Sequence, residues 1–375
     1  MERIKSLDGI RAVAVFLVLL FHVGLFPAGW VGVQVFFVLS GYLISDILLR
    51  ERERPFPEYL VRFYWRRSLR ILPLYLFFLS AVALAYLSNG SPKSLPDDSP
   101  YLLTYTVNFA RLRAVDVGST FVHLWSLAVE EQFYLLWPIV VYFLQPSAFR
   151  RTVLTIIAGT PLIRLTLYFI LRSSSHDVDW IGRNIYCLPI SQFDAFATGA
   201  AVVLWKPLLL RWAERGLMVT IIVAAICGVS VLLHDYLLYK NVYKESLGYQ
   251  MYLVSDWGFV WAYSLINIAS AFLILCAIKR AKGLRFLESE TLVWFGSISY
   301  GVYVYHVPLL RAMELPLESW SRPATLFIYF VAVVVVSQIS YVWVETPFLR
   351  LKDGRKVRRL FGSRRLKIDE SGDLQ

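Results

Sequence analysis

The sequence predicts an all-α polytopic membrane protein with about ten transmembrane helices. Three observations carry that prediction. Apolar residues make up 57% of the 375-residue chain and charged residues 17%, whereas soluble domains hold roughly 45–50% and about 25%. The apolar residues fall in blocks of about twenty, the length a helix needs to cross about 30 Å of hydrocarbon. The basic residues fall between those blocks. The net charge of +11 therefore reads as a topology signal, not as a nucleic-acid footprint.

The predicted spans run over 11–28, 31–49, 71–88, 124–145, 152–171, 189–205, 217–234, 258–278, 292–310 and 324–345. The first has the basic start and apolar run of a signal peptide, but 23–32 offers no small-x-small cleavage site, so an uncleaved helix is expected. Between the second and third spans, Arg62, Arg66 and Arg70 form an i, i+4, i+8 ridge flanked by Arg67, opposite Val61 and Trp65. This predicts an interfacial helix with a cationic face. Such a face suits either lipid headgroups or the phosphates of a cofactor. The loop 89–123, with Pro92, Pro96 and Pro100, is expected outside the cell. The short sixth span suggests a broken or tilted helix. With the N-terminus inside, 28 basic residues fall in inside segments and 9 in outside ones, with Arg164 within a span. That asymmetry predicts both termini in the cytoplasm. Residues 1–349 form the expected membrane domain and 350–375 a basic cytoplasmic tail, held near anionic lipid.

Ionisable groups in a membrane are costly, so each is a candidate for function or for a contact between helices. Arg11 and His22 lie eleven residues apart, about three turns, on one face of the first span. Histidine titrates near neutrality and can take a proton from a hydroxyl. His123 and Glu130 share a face where the fourth span opens, followed by Glu131 and Gln132. Arg164 and Asp194 are placed to pair across the fifth and sixth spans. His306 lies in the ninth span, Glu345 ends the tenth, and Gly41 permits close helix approach. Cys187, Cys227 and Cys276 show no CxxC and no metal spacing, and no metal is expected. Walker A, GxGxxG, HExxH and GxSxG motifs are absent.

Several runs together resemble the acyltransferase 3 family of membrane acyltransferases. They are Ser6-Leu-Asp-Gly-Ile-Arg with His22, Gly32-Val-Gln-Val-Phe-Phe-Val-Leu-Ser-Gly, and Arg66-Arg-Ser-Leu-Arg-Ile-Leu-Pro. Trp125-Ser-Leu-Ala-Val-Glu-Glu-Gln, Phe193-Asp-Ala and Ser299-Tyr-Gly-Val-Tyr-Val-Tyr-His follow in order. The resemblance implies an integral-membrane O-acyltransferase in a bacterial cytoplasmic membrane. It would move acetyl or another short acyl group from acyl-CoA, acetyl-CoA being the expected donor, to a hydroxyl of a carbohydrate or glycosylated small molecule. It implies catalytic roles for His22 and Glu130, and acyl-CoA contacts for Arg11, Arg66, Arg67 and Arg70. His22 would act either as general base or as transient acyl carrier, and Glu130 would either orient His22 or bind the acceptor. The chain resembles the stand-alone type, without a fused SGNH hydrolase-like domain. A transporter of a lipid-linked sugar or antibiotic would also fit ten spans with buried polar groups.

Overall fold

The computed structural model of the chain describes residues 3–88, 95–110, 112, 118, 120–173, 177–240, 244–252, 257–314 and 321–351. The predicted tail beyond 351 and parts of the 89–123 loop lie outside the described residues. Among those described, the ordered backbone is helical and no strand occurs. Helix α1 (Lys5–His22) leads through a 3₁₀ turn (Pro27–Trp30) into α2 (Val31–Glu51) and then α3 (Phe56–Ser88). The short α4 (Leu95–Leu103) and α5 (Val107–Ala110) precede α6 (Trp125–Phe143), α7 (Pro146–Arg172), α8 (Val178–Cys187) and α9 (Phe193–Leu204). Next come α10 (Lys206–Tyr239), α11 (Gly258–Ile278), α12 (Glu290–Ser297) and α13 (Ser299–Glu314). The last described helix runs as α14 (Arg322–Ser340), a π turn (Tyr341–Glu345) and α15 (Thr346–Leu351).

Among the described residues, six helices are long and apolar enough to cross a membrane by length and composition: α2, α3, α7, α10, α11 and the helix from Arg322. The other four predicted spans also hold helices, and each departs from a plain span for a reason in its residues. Helix α1 starts at Lys5 and so takes Lys5, Asp8 and Arg11 into its first two turns. Helix α6 carries Glu130 and Glu131. The sixth span is broken: Pro189 opens a 3₁₀ turn, and α9 has only 12 residues. At 1.5 Å per residue α9 is about 18 Å long, too short for about 30 Å of hydrocarbon, and it is buried almost throughout. The ninth span divides between α12 and α13. There the hydroxyls of Ser297 and Ser299 donate to the carbonyls of Trp294 (2.6 Å) and Gly296 (2.8 Å), capping the turn that ends.

The expected interfacial helix is corrected. Glu58–Arg70 is the first part of α3, which continues without a break past Pro73 to Ser88. Its arginine ridge turns toward protein, while Val61 and Trp65 are exposed on the other side. Counter-charge makes this tolerable, since Glu51 at the end of α2 lies 3.0 Å from Arg62.

Helix α2 is the interior element, with 67% of its apolar window buried, whereas only 11% of that of α10 is buried. Lipid tails are as apolar as leucine, so helices in a membrane associate by close packing and polar contacts rather than by escape from water. Both operate around α2. A Cβ on Gly41 would sit 2.2 Å from the Phe196 carbonyl oxygen, and one on Gly199 would sit 2.1 Å from that of Val38. The backbones of α2 and α9 therefore touch, as expected of Gly41. Phe196 stacks on Phe133 of α6 (centroids 4.1 Å, planes 10° apart) and packs on Phe37 of α2 (5.0 Å). This locks α6 in rotation, with Glu130 turned toward α2 and α3.

The second contact is the predicted ion pair. The Arg164 guanidinium on α7 lies 2.5 Å from Asp194 Oδ1 on α9, and both residues are fully buried. Arg164 also donates to the Ser191 carbonyl (2.9 Å) and to Ser264 Oγ (3.1 Å) on α11. Ser264 in turn donates to Asp194 Oδ2 at 2.7 Å. Three helices are tied at one satisfied charge centre.

Candidate active site

Helices α2, α3, α6 and α13, with Arg11 of α1, enclose a cavity of about 270 Å³. Helical spacing explains its lining. Arg62, Arg66 and Arg70 recur every fourth residue on α3 and present one cationic edge, with Arg67 beside it. Val33, Phe37, Ser40 and Ile44 present one edge of α2, and Ser126, Glu130 and Tyr134 present one edge of α6.

The charges on this wall are unequally matched. Arg11 pairs with Asp8 at 2.7 Å, and Asp8 also receives Arg3 at 2.7 Å. Glu51 takes Arg62 at 3.0 Å and lies 3.8 Å from Arg66. Arg67 instead lies over the ring of Tyr134, 4.1 Å from its centroid, and its buried Nε has no hydrogen-bond partner. Arg70 makes no ion pair among the described residues. Glu130 accepts a 2.6 Å bond from Ser40 Oγ, which receives Tyr134 OH at 3.3 Å. The lining carries five arginines against three glutamates, Glu51, Glu130 and Glu131, and is cationic on balance. Guanidinium forks match phosphate oxygens in shape as well as charge.

Beyond the cavity lies a cluster of three histidines from distant parts of the chain. His22 ends α1, His123 lies in the turn before α6, and His306 is on α13. The ring of His306 stands edge-on to both His22 (centroids 4.6 Å) and His123 (4.9 Å). The proton positions follow from the partners, because a carbonyl only accepts. His306 Nδ1 is 2.6 Å from the Tyr303 carbonyl oxygen and so carries a proton. His22 Nδ1 is 2.9 Å from the Val18 carbonyl oxygen and carries one too. That same Nδ1 lies 3.3 Å from His306 Nε2, which in the neutral ring is an acceptor. In neutral His22 the lone pair is thus on Nε2, the form a general base needs.

Tyr303 joins the two regions. It lines the cavity, and its hydroxyl donates to the His123 carbonyl (2.9 Å) and lies 2.5 Å from Ser126 Oγ. Five of the six predicted site residues, Arg11, Arg66, Arg67, Arg70 and Glu130, thus line one cavity, and His22 does not. Of the two expectations for Glu130, the one that it orients His22 is corrected. Among the described residues the hydrogen-bonding partners of His22 are Val18 and His306, and those of Glu130 are Ser40 and Tyr134. Tyr303 and Ser126 escaped sequence reasoning, although both lie inside runs singled out for the family resemblance. A tyrosine or a serine in a membrane helix carries no charge to mark it.

Arginines along a partly open cavity, with Tyr303 and then His306 leading to a histidine whose lone pair is on Nε2, make a class of site that can hold an anion in the same bundle as a base. Sequence comparison gives that class a family. The chain belongs to the acyltransferase 3 family, matching its acyltransferase domain over residues 4–342. It is 27% identical over 364 residues to the O-acetyltransferase OatA of Staphylococcus aureus, an alignment covering 92% of this chain and 57% of that protein. It is 28% identical over 365 residues to the peptidoglycan O-acetyltransferase OatA of Listeria monocytogenes, covering 92% and 55%. The chain spans a little over half the length of these relatives. No solved structure matches it.

Proposed function

We propose that the protein is a membrane O-acetyltransferase that moves acetyl from acetyl-CoA to a hydroxyl of a carbohydrate acceptor. The cavity is the observation that carries this reading: its five arginines outnumber its three glutamates, Arg67 and Arg70 make no ion pair within 4 Å among the described residues, and a donor with several phosphates suits that charge. The basic asymmetry supports termini on the cytoplasmic side, and in this reading the cavity takes its donor from the cytoplasm. Arg66, Arg67 and Arg70 hold the phosphates of CoA, and Arg11, kept in place by Asp8, lines the path inward. The thioester then reaches past Tyr303 to the histidines.

His22 Nε2 takes the proton of the acceptor hydroxyl as its oxygen forms a bond to the acyl carbon. The C–S bond breaks, its electrons leave on the CoA sulfur, and the proton held on His22 Nε2 passes to that thiolate. The products are the ester and CoA thiol. Glu130, hydrogen-bonded to Ser40 across the cavity, lies on the donor side of this path and balances part of the arginine charge. The Listeria monocytogenes relative is a peptidoglycan O-acetyltransferase, which makes a glycan of peptidoglycan type the first acceptor to try.

The test uses purified protein in nanodiscs with acetyl-CoA labelled in the acetyl group and a panel of glycan, glucan and macrolide acceptors. Acetylated product measured by mass, abolished by His22→Ala in a protein that still inserts and binds acetyl-CoA, is the expected result. Undiminished product formation by His22→Ala would remove His22 from the chemistry. Failure to bind acetyl-CoA would remove the donor assignment.

A further inference from the structure

We propose that His306 is the positioning residue for His22, acting as the hydrogen-bond acceptor that holds the ring and carries its charge when it is protonated. The proposal rests on His22 being the base, as argued above, and adds a group that the family resemblance did not assign to the site.

His306 is fully buried, so its polar atoms must find partners within the protein. Its Nδ1–H is spent on the Tyr303 carbonyl at 2.6 Å. The carbonyl of His306 itself accepts from Tyr329 OH at 3.2 Å, which ties α13 to α14 at this level. One nitrogen remains, Nε2, and it faces His22 Nδ1 at 3.3 Å. Since His22 Nδ1 already points its proton at the Val18 carbonyl at 2.9 Å, that proton is shared between Val18 and His306. The arrangement is loose while His22 is neutral. It tightens once His22 takes a proton on Nε2, because both ring nitrogens are then donors and a hydrogen bond from a cation is about twice as strong as a neutral one. A backbone carbonyl four residues back on the same helix follows the ring whatever its rotation about the helix. His306 comes from another helix and fixes which way Nε2 points. The arrangement is that of a base held by a second group on its far nitrogen, with a neutral imidazole doing the holding.

Three substitutions separate this role from mere packing. Glutamine reaches the place of Nε2 and offers an amide oxygen to His22. Asparagine reaches only the place of Nδ1, keeping the bond to Tyr303 and losing that to His22. Phenylalanine fills the volume and keeps neither. Orientation and charge support of a general base predict a fall in kcat of about 100-fold for His306→Asn and His306→Phe. The KM for acetyl-CoA should stay within about twofold, since the arginine cavity is untouched. His306→Gln should recover to within about tenfold of the parent kcat.

Each variant is assayed as the full chain in nanodiscs alongside His22→Ala. Near-parent kcat in His306→Asn or His306→Phe overturns the inference, as does a glutamine variant no better than asparagine. A rise in the acetyl-CoA KM across all three shows a structural role and overturns it as well. His22→Ala distinguishes the two levels. If that variant turns over normally, the general-base reading has failed; if it is dead while His306→Phe is active, only the role of His306 has failed.

Discussion

Asp194→Ala should destabilise the protein far more than removal of the whole ion pair to which Asp194 belongs. The substitution leaves Arg164 with 0% side-chain exposure and no carboxylate, its remaining hydrogen-bond partners being the Ser191 and Val260 carbonyls and the Ser264 hydroxyl. Ser264 loses its own acceptor at the same time. Breaking one side of a buried pair costs about 3–5 kcal/mol, because an uncompensated charge stays behind. Replacing both partners by apolar residues of similar size, as in Arg164→Met with Asp194→Leu, removes the charge as well as the bond and is often close to neutral. The double variant should therefore recover at least half of the loss, less the cost of the polar groups it orphans, about 1–3 kcal/mol each. The assay is equilibrium unfolding in mixed micelles of mild detergent and dodecyl sulfate, followed by tryptophan fluorescence, with parent, single and double variants in parallel. A loss below about 1 kcal/mol for Asp194→Ala would refute the reasoning from burial. A double variant no more stable than the single one would refute the reasoning from the orphaned charge.

Two further outcomes follow from the same geometry. Arg70→Ala should raise the KM for acetyl-CoA by roughly 10–100-fold, the worth of one charge-assisted bond, with the acceptor KM little changed. A shift confined to the acceptor would move Arg70 out of the donor site. Gly41→Ala, whose Cβ would fall 2.2 Å from the Phe196 carbonyl oxygen, should cost about 1–3 kcal/mol by forcing α2 and α9 apart. Gly159→Ala, with nothing within 4 Å of its Cβ, is the matched control, and equal melting curves for the two would refute the contact.

Much of the site was legible in the sequence because helical period and charge announce themselves locally. The four-residue spacing of Arg62, Arg66 and Arg70 gave a common face, and that face lines the cavity. Arg164 and Asp194 were conspicuous as charges in apolar runs, and they pair. What the sequence hid depends on which helix faces which. The arginine ridge looked interfacial because nothing near it in sequence shows that α2 and α6 cover it. His22 and His306 are 284 residues apart, and no periodicity within either helix joins them. The shortness of the sixth span already suggested its break, whereas the one at Ser297–Ser299 is set by side chains taking over backbone partners, and a hydropathy window averages over it.

The wall formed by Tyr303 has a consequence for the membrane as a whole. A histidine ring can accept a proton on one nitrogen and release one from the other, so three of them above a polar cavity are part of what a proton wire needs. Moving one charge across a bilayer is worth about 2.3 kcal/mol per 100 mV, so an open wire would discharge the potential of the membrane that holds it. The phenol ring stands between the two levels with its hydroxyl bonded to both the His123 carbonyl and Ser126, and it cannot swing aside without breaking both bonds. One side chain thus keeps the arginine level and the histidine level apart.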